Sequence, residues 1–459
     1  MHPAALLALA FMVVGAVVCA FRPAWVPPYF AAVLYTNASD TLHTEYGLPS
    51  FFMFLAPALL ALALARYALF SEPVGRGWKS ALWWLVAWAA VVLGSFLFAF
   101  DITRSAQSLL ELLDAVFIVL IMSLFVRRRE QLASVAWALI GAGVFLASLS
   151  LHQTLTNNFA SRYGGFAVGE LRNLLDKTEG MRSAGPLSTN YFALILVALV
   201  PLAVDRMLHE RARLARWAAG ASTVLIVGGI GITYSRGGFV ALAAIALLMM
   251  LAAPRLPKIA FAIAPLALIA AFAVLPDTYR ERMSTFGQVW HGLRGQHVED
   301  TAIRGRISEL RSALGMIGDH PLFGVGSGNY EIHYPQYARV IGLDARHEER
   351  AAHSLYLEVA AENGLFGLTV FAGMLAYALA GIHQTRKAFA IAGETDLVHL
   401  TTAIGIAFAG FLIGSMFLHL SYPRFLWLML AIAMSVRGLS LPAAAPAPIP
   451  LTRLLTASD

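Results

Sequence analysis

Apolar runs recur along almost the whole chain and constrain its fold more than any other feature. A helix that crosses the hydrocarbon core of a bilayer needs about 20 apolar residues. Hydrophobic residues make up 59% of the 459 residues and charged residues only 13%, whereas soluble domains carry roughly a quarter charged residues. We therefore predict an all-α integral membrane protein. Its expected twelve transmembrane helices are at 4–21, 49–70, 81–100, 108–126, 133–151, 189–205, 217–234, 238–253, 259–275, 364–382, 398–418 and 424–437.

The positions of the cationic residues predict how these spans are oriented. With a cytoplasmic N-terminus, each inside loop carries at least two cations and each short outside loop carries one, which is typical of the positive-inside rule. Both termini are then cytoplasmic, and a transmembrane domain at 1–440 precedes a proline-rich, disordered tail at 441–459. The inside cations are Arg76, Lys79, Arg127, Arg128, Arg129, Arg206, Arg211, Arg213, Arg216, Arg255, Lys258, Arg386 and Lys387, and the outside ones are Arg22, Arg104, Arg236 and Arg424.

The net charge of +6 does not indicate binding to nucleic acid. The cations lie between apolar runs, and the sequence has no compact basic domain and no nucleic-acid motif. The single cysteine, Cys19, lies inside the first apolar run, so no internal disulfide is expected.

Two outside loops are long and polar, at 152–188 and 276–363. In the larger loop, apolar residues recur at helical spacing and predict an amphipathic helix at 304–318, which ends at Asp319-His320-Pro321. A second helix is expected to begin near Ala351. The loop is therefore predicted to be mostly helical, and neither loop shows the alternating pattern of a β-strand.

A glycine-rich segment at 324–328 follows the first loop helix and has two interpretations. Its Gly-Val-Gly-Ser-Gly sequence matches neither a dinucleotide-binding nor a Walker motif, and no Walker lysine occurs elsewhere. We favour a tight turn that uses positive φ angles over a loop whose amides contact a substrate. No use of ATP is expected.

The strongest candidate for a catalytic residue is His353, which lies where the large loop returns to an apolar run. It is either an interfacial histidine bonded to a backbone carbonyl or a general base, since imidazole takes up protons near neutral pH. His347 lies six residues earlier, whereas a zinc-binding helix needs a spacing of four, so no metal site and no cofactor are predicted. Glu358 and Glu362 share a helical face that points away from His353. We expect them to be structural residues or partners of an arginine.

Several arginines accompany His353 on the outside face. Arg236 stands between two apolar runs, either as a snorkelling side chain or as a ligand for phosphate, and the glycines beside it would let the helix break there. Arg182 precedes another span, and Arg304 and Arg306 begin the predicted loop helix. Together they favour an anionic lipid headgroup as ligand, because guanidinium groups can carry the charge of a pyrophosphate.

These motifs resemble the O-antigen ligase/polymerase superfamily of bacterial inner membranes, over residues 150–435. The resemblance rests on Arg182-x-x-Gly185-Pro186, Ser235-Arg236-Gly237, the 319–326 segment, His353-x-x-x-Leu357-Glu358 and Glu362-x-Gly364, in this order. It implies a GT-C-like, metal-independent glycosyltransferase that takes a glycan from undecaprenyl pyrophosphate at the periplasmic face.

Carried over residue by residue, the resemblance makes His353 the base that deprotonates the acceptor hydroxyl, with inversion at the anomeric carbon. It makes Arg236 and Arg182, with Arg306 or Arg304, the ligands of the departing pyrophosphate; both members of the last pair match equally well. The further residues expected in supporting positions are Glu358, Glu362, Asn329 and Tyr330.

Three roles within the superfamily fit such a site: ligation of O-antigen to lipid A–core, polymerisation of repeat units, and glycosylation of protein serines. One large loop before the last three spans, without a large soluble C-terminal region, favours the ligase. It would act as a monomer in the inner membrane, with the lipid-linked donor, lipid A–core and membrane lipids as partners. A transporter or flippase for anionic lipids is the alternative from another class, but the chain lacks the paired inverted halves expected of one.

Overall fold

The computed structural model describes residues 1–171, 181–252, 290, 294, 298, 300–343, 348–419 and 423–439. Within them the chain is an all-α integral membrane protein with one small β-hairpin. The helices are α1 (Pro3–Phe21), α2 (Val26–Tyr35), α3 (Ala38–Tyr46), α4 (Phe51–Phe70), α5 (Trp78–Phe96), α6 (Ile102–Phe125), α7 (Arg129–Leu155), α8 (Thr189–His209), α9 (Arg213–Gly231), α10 (Arg236–Ala252), α11 (Thr301–Asp319), α12 (Tyr330–Ile341), α13 (Leu355–Ile391), α14 (Thr395–Gly414) and α15 (Pro423–Arg437). The strands are β1 (Val168–Leu171) and β2 (Met181–Gly185).

Eleven of the twelve predicted spans coincide with helices, and the twelfth, 259–275, lies outside the described residues. Among the described helices, nine are long and apolar enough to cross a membrane, and α10 is a shorter apolar helix. Helix α8 is the most enclosed of these nine and packs against α9, α10 and α14. It therefore lies at the centre of the helices that surround the site described below.

Helices α2 and α3 occupy a stretch that the sequence pattern assigned to a short outside loop. Every residue of α2 is buried, and the Tyr35 hydroxyl donates to the Ile195 carbonyl of α8 over 2.6 Å. Ten residues are too few to span a bilayer, so a search for spans misses this helix. Its start is nevertheless encoded, because Pro27 and Pro28 lie in the first turn, where a missing N–H costs no helical hydrogen bond.

The hairpin of β1 and β2 contradicts the expectation that the loops contain no strand. The strands pair antiparallel and are only four and five residues long, too short for a clear alternation of apolar and polar residues. The Ser183 amide donates to the Ile232 carbonyl over 3.3 Å. The hairpin is thereby attached to the C-terminal end of α9.

The predicted amphipathic loop helix is confirmed as α11, which ends before His320 as expected. Its N-cap is Asp300, whose Oδ1 accepts from the amides of Ala302 and Ile303 at 2.9 and 3.2 Å. The second loop helix was expected near Ala351, but α12 comes earlier and α13 begins only at Leu355. Helix α11 packs against both.

The glycine-rich segment forms a tight turn that is docked on a break in α13. Gly364 lies inside α13 with φ +67° and ψ −173°, a conformation open essentially to glycine alone. The Leu365 amide beyond the break donates to the Pro321 carbonyl at 2.8 Å, and the Val325 amide donates to the Ala361 carbonyl at 2.9 Å. Gly324 has φ +71°, which confirms the tight turn.

Candidate active site

A cavity of about 570 Å³ lies between α8, α10, α11, α13 and the end of α14. His353, Arg236 and Arg306 all line it. Most of the remaining wall is apolar, formed by Leu194, Ala241, Ile303, Ile307, Leu310, Leu357, Met416, Phe417 and Leu418. The cavity thus places two cations and an imidazole beside a surface suited to hydrocarbon.

His353 stands two residues before α13 in a left-handed backbone conformation, with φ +48°. Non-glycine residues adopt this region rarely, and functional sites are enriched in such residues. Its Nδ1 lies 3.1 Å from the Ala351 carbonyl and 3.0 Å from Oε2 of Glu309. Because both neighbours are acceptors, Nδ1 carries the proton and Nε2, at the opposite edge of the ring, is the acceptor nitrogen.

Glu309 is a site residue that the sequence analysis missed. Its side chain, on α11, is completely buried, and its Oε1 lies 2.8 Å from the Arg350 guanidinium. The Tyr330 hydroxyl donates to the Glu309 backbone carbonyl over 2.7 Å. A signal was present: Glu309 continues a helical stripe of small or apolar residues formed by Gly305, Ser312, Ala313 and Met316, where a carboxylate is out of place.

Arg236 is the first residue of α10, and its Nη2 donates to Oδ2 of Asp300 over 2.7 Å. The helix breaks just before it, as expected, but Tyr234, with φ +52°, makes the turn rather than the glycines. Gly238 instead permits close packing, because a Cβ there would lie 2.7 Å from the Cβ of Ala193. The N-terminus of a helix attracts anions through its dipole and its free N–H groups. At the start of α10, the Arg236 guanidinium adds a full positive charge to this end.

Arg306, on α11, also lines the cavity, and its Nη1 donates to the Phe417 carbonyl over 2.8 Å. Burial lowers the pKa of this guanidinium from its usual range, and the charges of Arg236, Arg350 and Arg182 act in the same direction, opposed by Glu309. Since arginine does not give up its proton in proteins, this lowering marks a place where a bound anion would be stabilised.

The other two predicted arginines do not line the cavity. Arg182, on β2, lies 3.5 Å from a Glu170 carboxylate oxygen that also accepts from the Thr189 hydroxyl at the start of α8. It acts on Arg306 through its charge. Arg304 points elsewhere and donates to the Val298 carbonyl over 3.5 Å. Of the two arginines that the sequence could not separate, Arg306 is the one at the cavity.

The residues predicted in supporting positions are not among those that line the cavity. Glu362 accepts from the Tyr330 amide at 3.0 Å, and Asn329 donates to the Ser105 hydroxyl of α6 at 2.7 Å. These contacts join the loop to the membrane helices. Glu358 lies on α13; burial is the main cause of the raised pKa of Tyr330, and the charge of Glu358 adds a smaller contribution.

A second histidine missed from the sequence, His419, packs edge-on against His353 with ring centroids 5.0 Å apart. Burial, with smaller contributions from His353 and Arg306, lowers the pKa of His419 to about 3, so its ring is neutral at neutral pH. His347 lies outside the described residues. Among those described, no three His, Cys, Asp or Glu side chains are grouped as metal ligands; metal independence stays a prediction.

Comparison with known proteins gives one family. The family model described as O-antigen ligase matches residues 221–372. This range contains Arg236, Arg306, Glu309 and His353. No curated protein matches the chain.

Proposed function

We infer the reaction of this multi-pass membrane protein from its membership in the O-antigen ligase superfamily, which the match over residues 221–372 supports. We propose that it is the ligase, which moves O-antigen polysaccharide from undecaprenyl pyrophosphate to a hydroxyl of lipid A–core. The observation that carries the proposal is that His353, Arg236 and Arg306 line one largely apolar cavity.

The two faces of the cavity suit the two parts of a lipid-linked donor. Arg236 and Arg306 would bind the pyrophosphate by charge-assisted hydrogen bonds, which are the strongest that a guanidinium makes. The apolar residues of α8, α10 and α11 would contact the first isoprene units. Arg182 would add attraction for the anion from outside the cavity wall.

The reaction follows from the position of the acceptor nitrogen. Nε2 of His353 takes the proton of the acceptor hydroxyl while that oxygen attacks the anomeric carbon. The bond between this carbon and the pyrophosphate oxygen breaks, and its electron pair leaves with the lipid diphosphate, whose added charge Arg236 and Arg306 stabilise. Attack from the face opposite the leaving group inverts the anomeric centre.

The distribution of cationic loops supports an inner-membrane protein with cytoplasmic termini and a periplasmic site. In this orientation the hairpin, α11 and α12 lie on the side where a lipid-linked polysaccharide and lipid A–core meet. We expect a monomer to be sufficient for turnover, since the proposed residues all come from one chain.

Reconstitution in liposomes with purified donor and acceptor tests the proposal. We expect transfer by the wild-type protein, and a loss of about 10²- to 10⁴-fold in His353→Ala with donor binding retained. A transporter of anionic lipids would retain its activity in this variant. Loss of the core-attached ladder in a deletion strain, with lipid-linked long chains still present, indicates ligation rather than polymerisation.

A further inference from the structure

Glu309 is an acidic residue in a place that packing alone does not explain. Its side chain has no exposed surface, and an isolated carboxylate in a protein interior is destabilising by several kcal/mol. Its charge is offset by Arg350 at 2.8 Å and by the electrostatic influence of Arg306. A neutral side chain of similar size would fill the same space without that cost.

The two carboxylate oxygens of Glu309 have separate partners. Oε1 faces Arg350, and Oε2 faces Nδ1 of His353. Nδ1 donates its hydrogen bond to the Ala351 carbonyl. The carboxylate of Glu309 therefore acts on the imidazole ring through its negative charge. The Tyr330 hydroxyl holds the backbone of Glu309 from the other side.

If His353 acts as a base, its imidazolium form needs a negative charge nearby, because most of the charged groups around it are arginines. Without Glu309, uptake of a proton by the imidazole would add a cation to a region that holds Arg306 and Arg350, with Glu358 as the acidic group left there. His419 offers no compensation because it stays neutral. The charged and titratable groups that face this region are Arg306 and Glu309 on α11, Arg350 before α13, Arg236 on α10, Arg182 on β2, Tyr330 on α12, Glu358 on α13, and His419.

We propose that Glu309 is a positioning residue for the transfer reaction, which holds His353 with its proton on Nδ1 and stabilises the imidazolium formed when Nε2 takes the proton of the acceptor. Arg350 fixes the carboxylate by occupying its other oxygen. The inference rests on the proposed function, because it gives Glu309 a role only if His353 is the base.

The test is the rate–pH profile of reconstituted Glu309→Gln. The amide keeps the size of the side chain and removes its charge, so we expect kcat at neutral pH to fall about tenfold or more and the acidic limb of the profile to move about one pH unit lower. The KM for donor should change little. Glu331→Gln, at a half-exposed site on α12, is the matched control and should keep the wild-type profile.

Arg350→Gln supplies the opposite perturbation and covers the case in which Glu309→Gln does not fold. Removal of this cation should move the acidic limb to higher pH. The inference is overturned if the limb stays in place in whichever of the two variants folds, while His353→Ala is inactive; the proposed function then stands. Full turnover by His353→Ala would instead overturn the proposed function itself.

Discussion

Replacement of Arg306 by methionine should weaken pyrophosphate binding without destabilising the protein. Methionine keeps much of the length of the side chain and removes its charge. The variant loses a hydrogen bond from a charged donor to the Phe417 carbonyl, worth about 1.5–3 kcal/mol. It also loses the attraction between Arg306 and Glu309, but it removes the burial of this cation, which is the larger effect, and its repulsion by Arg236, Arg350 and Arg182. Because these effects oppose one another, we expect the melting temperature to stay within roughly 2 °C of wild type or to rise.

The loss in affinity follows from the contact that Arg306 would make. A hydrogen bond to a charged group contributes about 1.5–3 kcal/mol, which corresponds to about 10- to 150-fold in Kd. At a ligand concentration of 100 times the wild-type Kd, binding stabilises the wild-type protein by about 2.7 kcal/mol. If the Kd rises 100-fold, the same concentration adds only about 0.4 kcal/mol.

The assay is thermal unfolding of the detergent-solubilised protein, titrated with geranyl pyrophosphate. Arg339→Met is the matched control, because Arg339 is exposed on α12 of the same loop, and it should respond to the ligand as wild type does. Equal ligand-induced shifts in Arg306→Met and wild type would refute the assignment of Arg306 to the anion site. A large fall in the melting temperature of the unliganded variant would refute the electrostatic argument.

Three further predictions concern the break in α13 at Gly364, the histidine His419 and the metal independence of turnover. Gly364→Ala should prevent folding, because a Cβ there would lie 2.2 Å from the Leu322 carbonyl oxygen. Gly318→Ala is the control and should fold, because the space around Gly318 is open. Expression levels and size-exclusion profiles of the two variants test this prediction. The lowered pKa of His419 means that the unfolded chain takes up the proton first, so stability present above about pH 6.5 should decrease as the pH falls towards 3. His419→Gln should show a smaller fall in melting temperature between pH 7 and pH 4. Turnover should continue in EDTA, and restoration only by added Mg²⁺ or Mn²⁺ would contradict the metal-free mechanism.

Contiguous apolar runs in the sequence predicted the membrane helices well, because a span is a local property of about 20 residues. The same rule failed for α2, which is buried by packing on α7 and the Ile195 carbonyl of α8 rather than by lipid. The hairpin was missed because β1 and β2 are stabilised by pairing with each other, and this pairing joins residues that are not adjacent in the sequence.

The site was predictable in its cations and histidine but not in their partners. Arg236 stands out because a charged group at membrane depth is unusual, and His353 because it lies where the polar loop returns to an apolar run. Arg306 was predicted only as one of a pair with Arg304. Asp300 belongs to a polar loop in which acidic residues are ordinary, and Glu309 is marked only by its place in a stripe of small or apolar residues. Only the fold reveals that they face Arg236 and His353.

The hydrogen bonds between the glycine-rich turn and the broken helix α13 limit how the large loop can be engineered. The backbone of 321–326 completes hydrogen bonds left open on both sides of Gly364, so this part of the loop and the first turns of α13 form a single structural piece. A chimaera that exchanges loops between related enzymes should therefore take its downstream junction beyond residue 366, within the regular part of α13. A junction at His353 would divide that piece and leave each half with unmatched partners.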